Sequence, residues 1–139
     1  MLKGVITDSH FAKRDRMGRL LVFLADLNTA ERKRQSDDRQ VRGLGIDQEA
    51  AVLLNRNGGA VVVGKGCAYL VEPAKSIALP EAGKPLDSGP FLVQKIRSRQ
   101  RFDLFHAGQM GDYFQLSVTG GVIHSSRPGD SAYGEETAR

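Results

Sequence analysis

Cysteine is nearly absent from this sequence. Cys67 stands alone among 139 residues, and tryptophan does not occur. One thiol cannot close an internal disulfide, so covalent stapling is excluded as a source of stability. Cys67 lies in the apolar stretch 61–71, where a small buried hydrophobe is its expected role. No run approaches the roughly 20 apolar residues of a membrane-spanning helix, so no membrane partner is expected. The opening residues lack a charged head followed by an apolar run, so no signal peptide is expected. The compartment stays open, with the cytoplasm as the default. No Cys and His grouping has metal-ligand spacing, and neither a metal nor a cofactor is expected.

What is present fits a folded domain. At 139 residues the chain is most simply one domain, able to bury roughly two-thirds of its unfolded surface. The net charge is +4 and the sequence pI about 9.5. Residues 11–42 hold nine Lys or Arg against five acids, which accounts for the whole excess. A basic cluster confined to one region suits an anionic ligand or a solvated loop. Nucleic acid is disfavoured as a partner, because aromatics are scarce around the cluster and no nucleic-acid motif occurs.

The spacing predicts a strand over residues 2–7 and a helix over 13–27. In that helix Met17, Leu20, Leu21, Leu24 and Leu27 make one apolar face, widened by Phe23. Residues 28–42 read as a charged insert, either a loop or a frayed helical extension. Short strands are expected at 51–55 and 60–64, joined by the turn signal Arg56-Asn57-Gly58-Gly59. Others are expected at 67–71, 91–97, 101–105, 113–118 and 122–125, with a Pro- and Gly-rich loop over 73–90. Residues 126–139 read as a polar, flexible tail. One strand, one main helix and a run of mostly antiparallel strands is an α/β pattern. A strand so close to the first residue leads to the expectation of further strands upstream, in a larger sheet.

The chemistry-bearing segment lies where the first strand meets the helix, residues 7–20. Ligand groups gather beyond the carboxyl ends of strands in α/β sheets. Asp8 or Ser9 is placed to cap the coming helix. Lys13, Arg14 and Arg16 would face the positive end of the helix dipole, with Asp15 offsetting one of them. Arg16 lies at the margin of the apolar face, and Arg14 and Arg19 lie off it. Cations placed against the dipole make sense if they hold an anion, for which the planar guanidinium fork is suited. A basic solvated face is the plainer alternative. His10 is of the type that serves as a general base near neutral pH, although a loop histidine is more often structural. His106 and His124 carry only that plain reading.

The string Asp8-x-His10-Phe11-x-x-Arg14-x-Arg16-x-Gly18-Arg19-Leu20, followed by Gly45-Ile46-Asp47 and a small apolar strand, resembles the cyanophycinase-like serine peptidases. The stretch 61–69, Phe102-Asp103-Leu104 and Leu116-Ser117-Val118-Thr119-Gly120-Gly121 are similar to later parts of that family, so the resemblance covers residues 1–125. It implies the C-terminal part of a three-layer α/β/α peptidase fold with a Ser-His-Glu triad. The implied substrates are aspartyl-arginine polymer or β-linked aspartyl peptides. His10 then falls on the general base. Asp8, Ser9, Arg14, Arg16 and Arg19 fall on the substrate pocket, with arginines meeting substrate carboxylates and Asp8 suited to a guanidinium. The acidic triad member would follow Gly45-Ile46-Asp47 directly, where this chain has Gln48; Glu49 comes one residue late. A Gln can orient an imidazole but cannot stabilise its cation by charge.

The family's nucleophile sits in a Gly-x-Ser-x-Gly elbow, and no such string occurs here. The expectation is therefore a chain inactive alone, complemented by an N-terminal half that carries the serine, or associating as a homodimer. The alternative is a non-catalytic module that binds acidic peptides.

Overall fold

The strand β1 (Val5–Ser9) leads into a helix, α1 (Met17–Arg34), which returns the chain to β2 (Arg42–Ile46). β2 lies parallel to β1, with Val5 opposite Arg42 and Ser9 opposite Ile46, so the three elements form a β-α-β crossover. The chain continues through β3 (Ala50–Leu54), β4 (Gly59–Gly64), β5 (Ala68–Pro73), β6 (Ser88–Ile96), β7 (Arg101–Asp103), β8 (Asp112–Thr119) and β9 (Val122–Ser125). A single 3-10 turn, Pro128–Asp130, follows. The computed structural model describes residues 2–34, 40–73, 80–106 and 111–134. Residues 35–39 of the expected charged insert, 74–79 of the expected Pro- and Gly-rich loop and 135–139 of the expected tail lie outside the described residues.

Six strands form one sheet in the order β1-β2-β5-β6-β8-β9, and β3-β4-β7 form a second. All neighbours except β1 and β2 are antiparallel. Alternation along β5 shows how the large sheet is buried. Tyr69 and Val71 join the core under α1, with Leu20, Leu21, Leu24, Phe91, Val93 and Phe114. Ala68 and Leu70 point the other way, into the core shared with Val62, Phe102 and Leu104 of the small-sheet region. The described residues thus form a mixed α/β fold of helix, large sheet and small sheet. The far face of the large sheet is covered by strands, and no second helix layer occurs among the described residues.

The helix departs from its sequence expectation at both ends. Residues 13–15 are turn and Arg16 is irregular, not helix. Phe11 is fully buried in the core, and Asp15 adopts a left-handed φ of 48° that breaks the helical path before Met17. The apolar face is Met17, Leu20, Leu21, Leu24 and Ala25, while Phe23 is half exposed and does not widen it. At the other end the helix runs on to Arg34, into the stretch read as an insert. Asn28, expected to open that insert, is buried. Its side chain donates to Leu24 O and Val41 O and accepts from Val41 N, which ties α1 to the start of β2.

β2 had no clear sequence signal, because glycines interrupt it. Those glycines allow the helix and the loop before it to approach: a Cβ on Gly43 would lie 2.8 Å from Leu20 of α1, and one on Gly45 would overlap the ring of Phe11 in the loop. The expected hairpin is present as β3–β4, with Asn55 Oδ1 accepting from Asn57 N and Gly59 N. Residues 127–134, part of the expected flexible tail, fold back instead, and Tyr133 packs against the core under α1.

Candidate active site

The segment from His10 to Arg16 forms a tight loop beyond the carboxyl end of β1. Phe11 anchors it from below, with its amide donating to Ile46 O at 3.2 Å and its ring 5.5 Å from that of Tyr69. Ala12 N donates to Asp47 Oδ1 at 3.0 Å, and Asp47 Oδ2 accepts from Cys67 N at 3.2 Å. Asp47 therefore staples the loop to the turn before β5. Within the loop, Arg14 N donates to His10 O and Arg16 N to Phe11 O.

Asp8, at the end of β1, is held by two arginines. Arg19 Nε donates to Oδ2 at 3.0 Å while its terminal nitrogen reaches Oδ1, a bidentate grip. A terminal nitrogen of Arg16 donates to Asp8 Oδ1 at 3.1 Å and to Ser9 O at 2.8 Å. Partial burial pushes the Asp8 carboxyl up, but the hydrogen bonds and charges of Arg19 and Arg16 outweigh it and hold the group below the usual carboxylate range. This arrangement corrects three expectations. Asp8 and Ser9 do not cap α1, which begins eight residues after Ser9 in the sequence, at Met17. Arg14 precedes the helix, and Arg16 stands at its start with its carbonyl accepting from Leu20 N, instead of lying within the first turns. Arg16 and Arg19 are engaged with an acid of this chain.

Two cationic side chains of the loop, Lys13 and Arg14, are exposed and have no side-chain partner among the described residues. His10 is exposed, has a left-handed φ of 50°, and its ring has no hydrogen-bond partner among the described residues. Gln48 and Glu49 occupy the exposed turn between β2 and β3, and neither is hydrogen-bonded to His10. Glu49 takes a φ of 61°, and its carbonyl accepts from Lys65 N at 2.8 Å. Asp47 immediately precedes this turn, and both of its oxygens accept from backbone amides.

Two residues that shape the loop carried no sequence signal of doing so. One is Asp47, noted only as part of a string. The other is Tyr133, whose hydroxyl accepts from Met17 N at 3.1 Å and donates to Asp15 Oδ1 at 2.7 Å. Elsewhere, His106 lies 3.3 Å from Asp103 and His124 3.8 Å from Asp130, both on the surface. No group of three His, Cys, Asp or Glu among the described residues is arranged to hold a metal ion. No helix among them is long and apolar enough to cross a membrane.

No family model matches the chain. It is 30% identical over 109 residues to the cyanophycinase of Trichormus variabilis, and equally to that of a Nostoc species. Each match covers 76% of this chain but 33% of the relative. The chain is thus similar to part of these cyanophycinases and spans about a third of their length.

Proposed function

We propose that this chain is the histidine-bearing portion of a serine-type hydrolase that acts on aspartyl-arginine polymer or β-aspartyl peptides, with the nucleophile supplied by polypeptide outside it. One observation carries the reading. His10 stands just past the carboxyl end of β1, beside an Asp8 clamped by Arg16 and Arg19, in a chain that matches cyanophycinases over 76% of its length. In an α/β sheet that is where catalytic groups converge. His10 has a ring free of protein partners among the described residues, as a base that must meet a nucleophile requires. Arg14 is the exposed guanidinium that would take a substrate carboxylate. Arg16 and Arg19 would orient Asp8 and Ser9 at the pocket wall.

The edge of the large sheet supports a complementing polypeptide. β1 is the terminal strand, and its outer edge has no strand partner among the described residues. Leu2 and Phe23 are exposed, and Phe23 lies one helical turn beyond Arg19, which reaches Asp8 on β1. An unpaired edge beside exposed apolar side chains is a surface for strand addition.

The third triad place is the weak point, and it favours a second reading. With Gln48 there and Glu49 in an exposed turn, no carboxylate is hydrogen-bonded to His10 among the described residues. A module that binds acidic peptides through Lys13 and Arg14 without hydrolysis would have this form.

A chimera separates the two. The matched third of the Nostoc cyanophycinase is replaced by this chain, and hydrolysis of a synthetic β-aspartyl-arginine dipeptide is followed. The expected result is slow turnover that His10→Ala abolishes and Gln48→Glu accelerates. A folded chimera that binds poly-aspartate but never hydrolyses the dipeptide, even with Gln48→Glu, overturns the hydrolase in favour of the binding module.

A further inference from the structure

The loop that carries His10 is held in an unfavourable backbone shape. Non-glycine residues sit in the left-handed region at both of its ends, His10 with φ 50° and Asp15 with φ 48°. Such residues persist only where surrounding contacts over-determine them. At the His10 end those contacts are the buried Phe11 ring and the Asp47 carboxylate. At the Asp15 end the contact comes from 118 residues away: Tyr133 donates its hydroxyl proton to Asp15 Oδ1 at 2.7 Å. The Tyr133 hydroxyl oxygen in turn accepts from Met17 N at 3.1 Å, which satisfies the first free amide of α1. α1 has no acidic residue in its first turn to do this.

The Tyr133 ring is fitted to its place. It meets Phe11 edge-on at 5.9 Å and Tyr69 edge-on at 5.7 Å. Burial pushes the Tyr133 hydroxyl well above the usual phenol range, so it remains a proton donor through neutral pH. Its segment is tied down on either side. Arg127 pairs with Asp112 and lies over the Phe114 ring at 5.6 Å. Gly134 O accepts from Lys95 Nζ at 3.3 Å, and a Cβ on Gly134 would lie 2.8 Å from Phe114.

We infer that Tyr133 is a positioning residue for the His10 site, a hydroxyl clamp from the C-terminal segment that sets the loop bearing His10, Arg14 and Arg16. Contact runs from the Tyr133 hydroxyl to Asp15 and Met17, on to the neighbouring Arg16, and from Arg16 to Asp8 and Ser9 O next to His10. The catalytic meaning of this clamp rests on the proposed role of His10. The clamp itself does not.

The test is nuclear magnetic resonance on the full chain with Tyr133→Phe, which keeps the ring contacts and removes only the hydroxyl. Amide exchange at Met17 should quicken by about tenfold, the loss of one hydrogen bond of ordinary strength. The His10 ring Cε1 resonance should shift or broaden. That of His106, which is held by Asp103, should stay in place. Asp15→Asn, which removes the acceptor's charge, should move the same signals in the same direction. Unchanged Met17 exchange and an unmoved His10 resonance in Tyr133→Phe overturn the clamp. So does a uniform loss of protection in which His10 and His106 move together, because Tyr133 would then only be filling space. None of these readouts needs turnover. A responsive His10 loop in a chain whose chimera never hydrolyses the dipeptide sinks the hydrolase reading and leaves the clamp standing.

Discussion

Arg19 holds Asp8 by two nitrogens, Nε to Oδ2 at 3.0 Å and a terminal nitrogen to Oδ1. This grip joins the first turn of α1 to the end of β1, where Arg16 also donates to Asp8 Oδ1 at 3.1 Å.

Asp8→Asn should therefore destabilise the fold by about 1–3 kcal/mol near neutral pH, the range for a charge-assisted bond left unmade. The pH dependence has a definite sign. The Asp8 carboxyl is held below its usual range in the folded chain, so its contribution is present above the unfolded value and lost as pH falls through the folded one. Chemical denaturation of both proteins across pH should show the gap full at pH near 7 and closing in acid. A gap that persists unchanged at low pH would show that charge is not its source.

Arg16→Ala tests the corrected role of that side chain. Its guanidinium reaches both Asp8 and Ser9 O and is four-fifths buried, with 20% of the side chain exposed. Stability should fall by about 1–3 kcal/mol. Arg14→Ala, an exposed position, should change it by less than about 0.5 kcal/mol. Equal, negligible effects of the two would return Arg16 to the solvated surface.

Gly45→Ala should cost about 1–3 kcal/mol, because the added methyl overlaps the Phe11 ring in a packed core. Phe11→Leu in the same chain should recover part of that loss. The coupling between the two, read from the double-mutant cycle, should be favourable. Additive losses would mean that the ring and the glycine do not meet.

The isolated chain should show no hydrolysis of β-aspartyl-arginine, since no Gly-x-Ser-x-Gly elbow occurs in it. It should also self-associate through the outer edge of β1, which has no strand partner among the described residues, and Phe23→Lys should weaken that association. Sedimentation across a concentration series reads the second outcome. A monomer at high concentration with cooperative unfolding would leave the β1 edge without a claim to a partner.

Periodicity and turn chemistry are local, and where they decided structure the sequence sufficed. The apolar face of Met17, Leu20, Leu21 and Leu24 is the buried face of α1, and Asn57-Gly58 turns the hairpin of β3 and β4. His10 and its arginines were legible as a group because they lie within ten residues of one another. The rest depended on contacts distant in sequence. β2 is a strand because β1 and β5 pair with its two edges and its glycines admit Leu20 and Phe11, none of which the string Arg-Gly-Leu-Gly-Ile announces. The start of α1 moved to Met17 because burial of Phe11 and the left-handed Asp15 override helix propensity over residues 13–16. Whether an arginine faces a ligand or an acid of its own chain is set by where a strand end meets a helix start. The final shape of the His10 loop is set by a tyrosine 118 residues beyond Asp15, a distance over which only the folded backbone brings two side chains together.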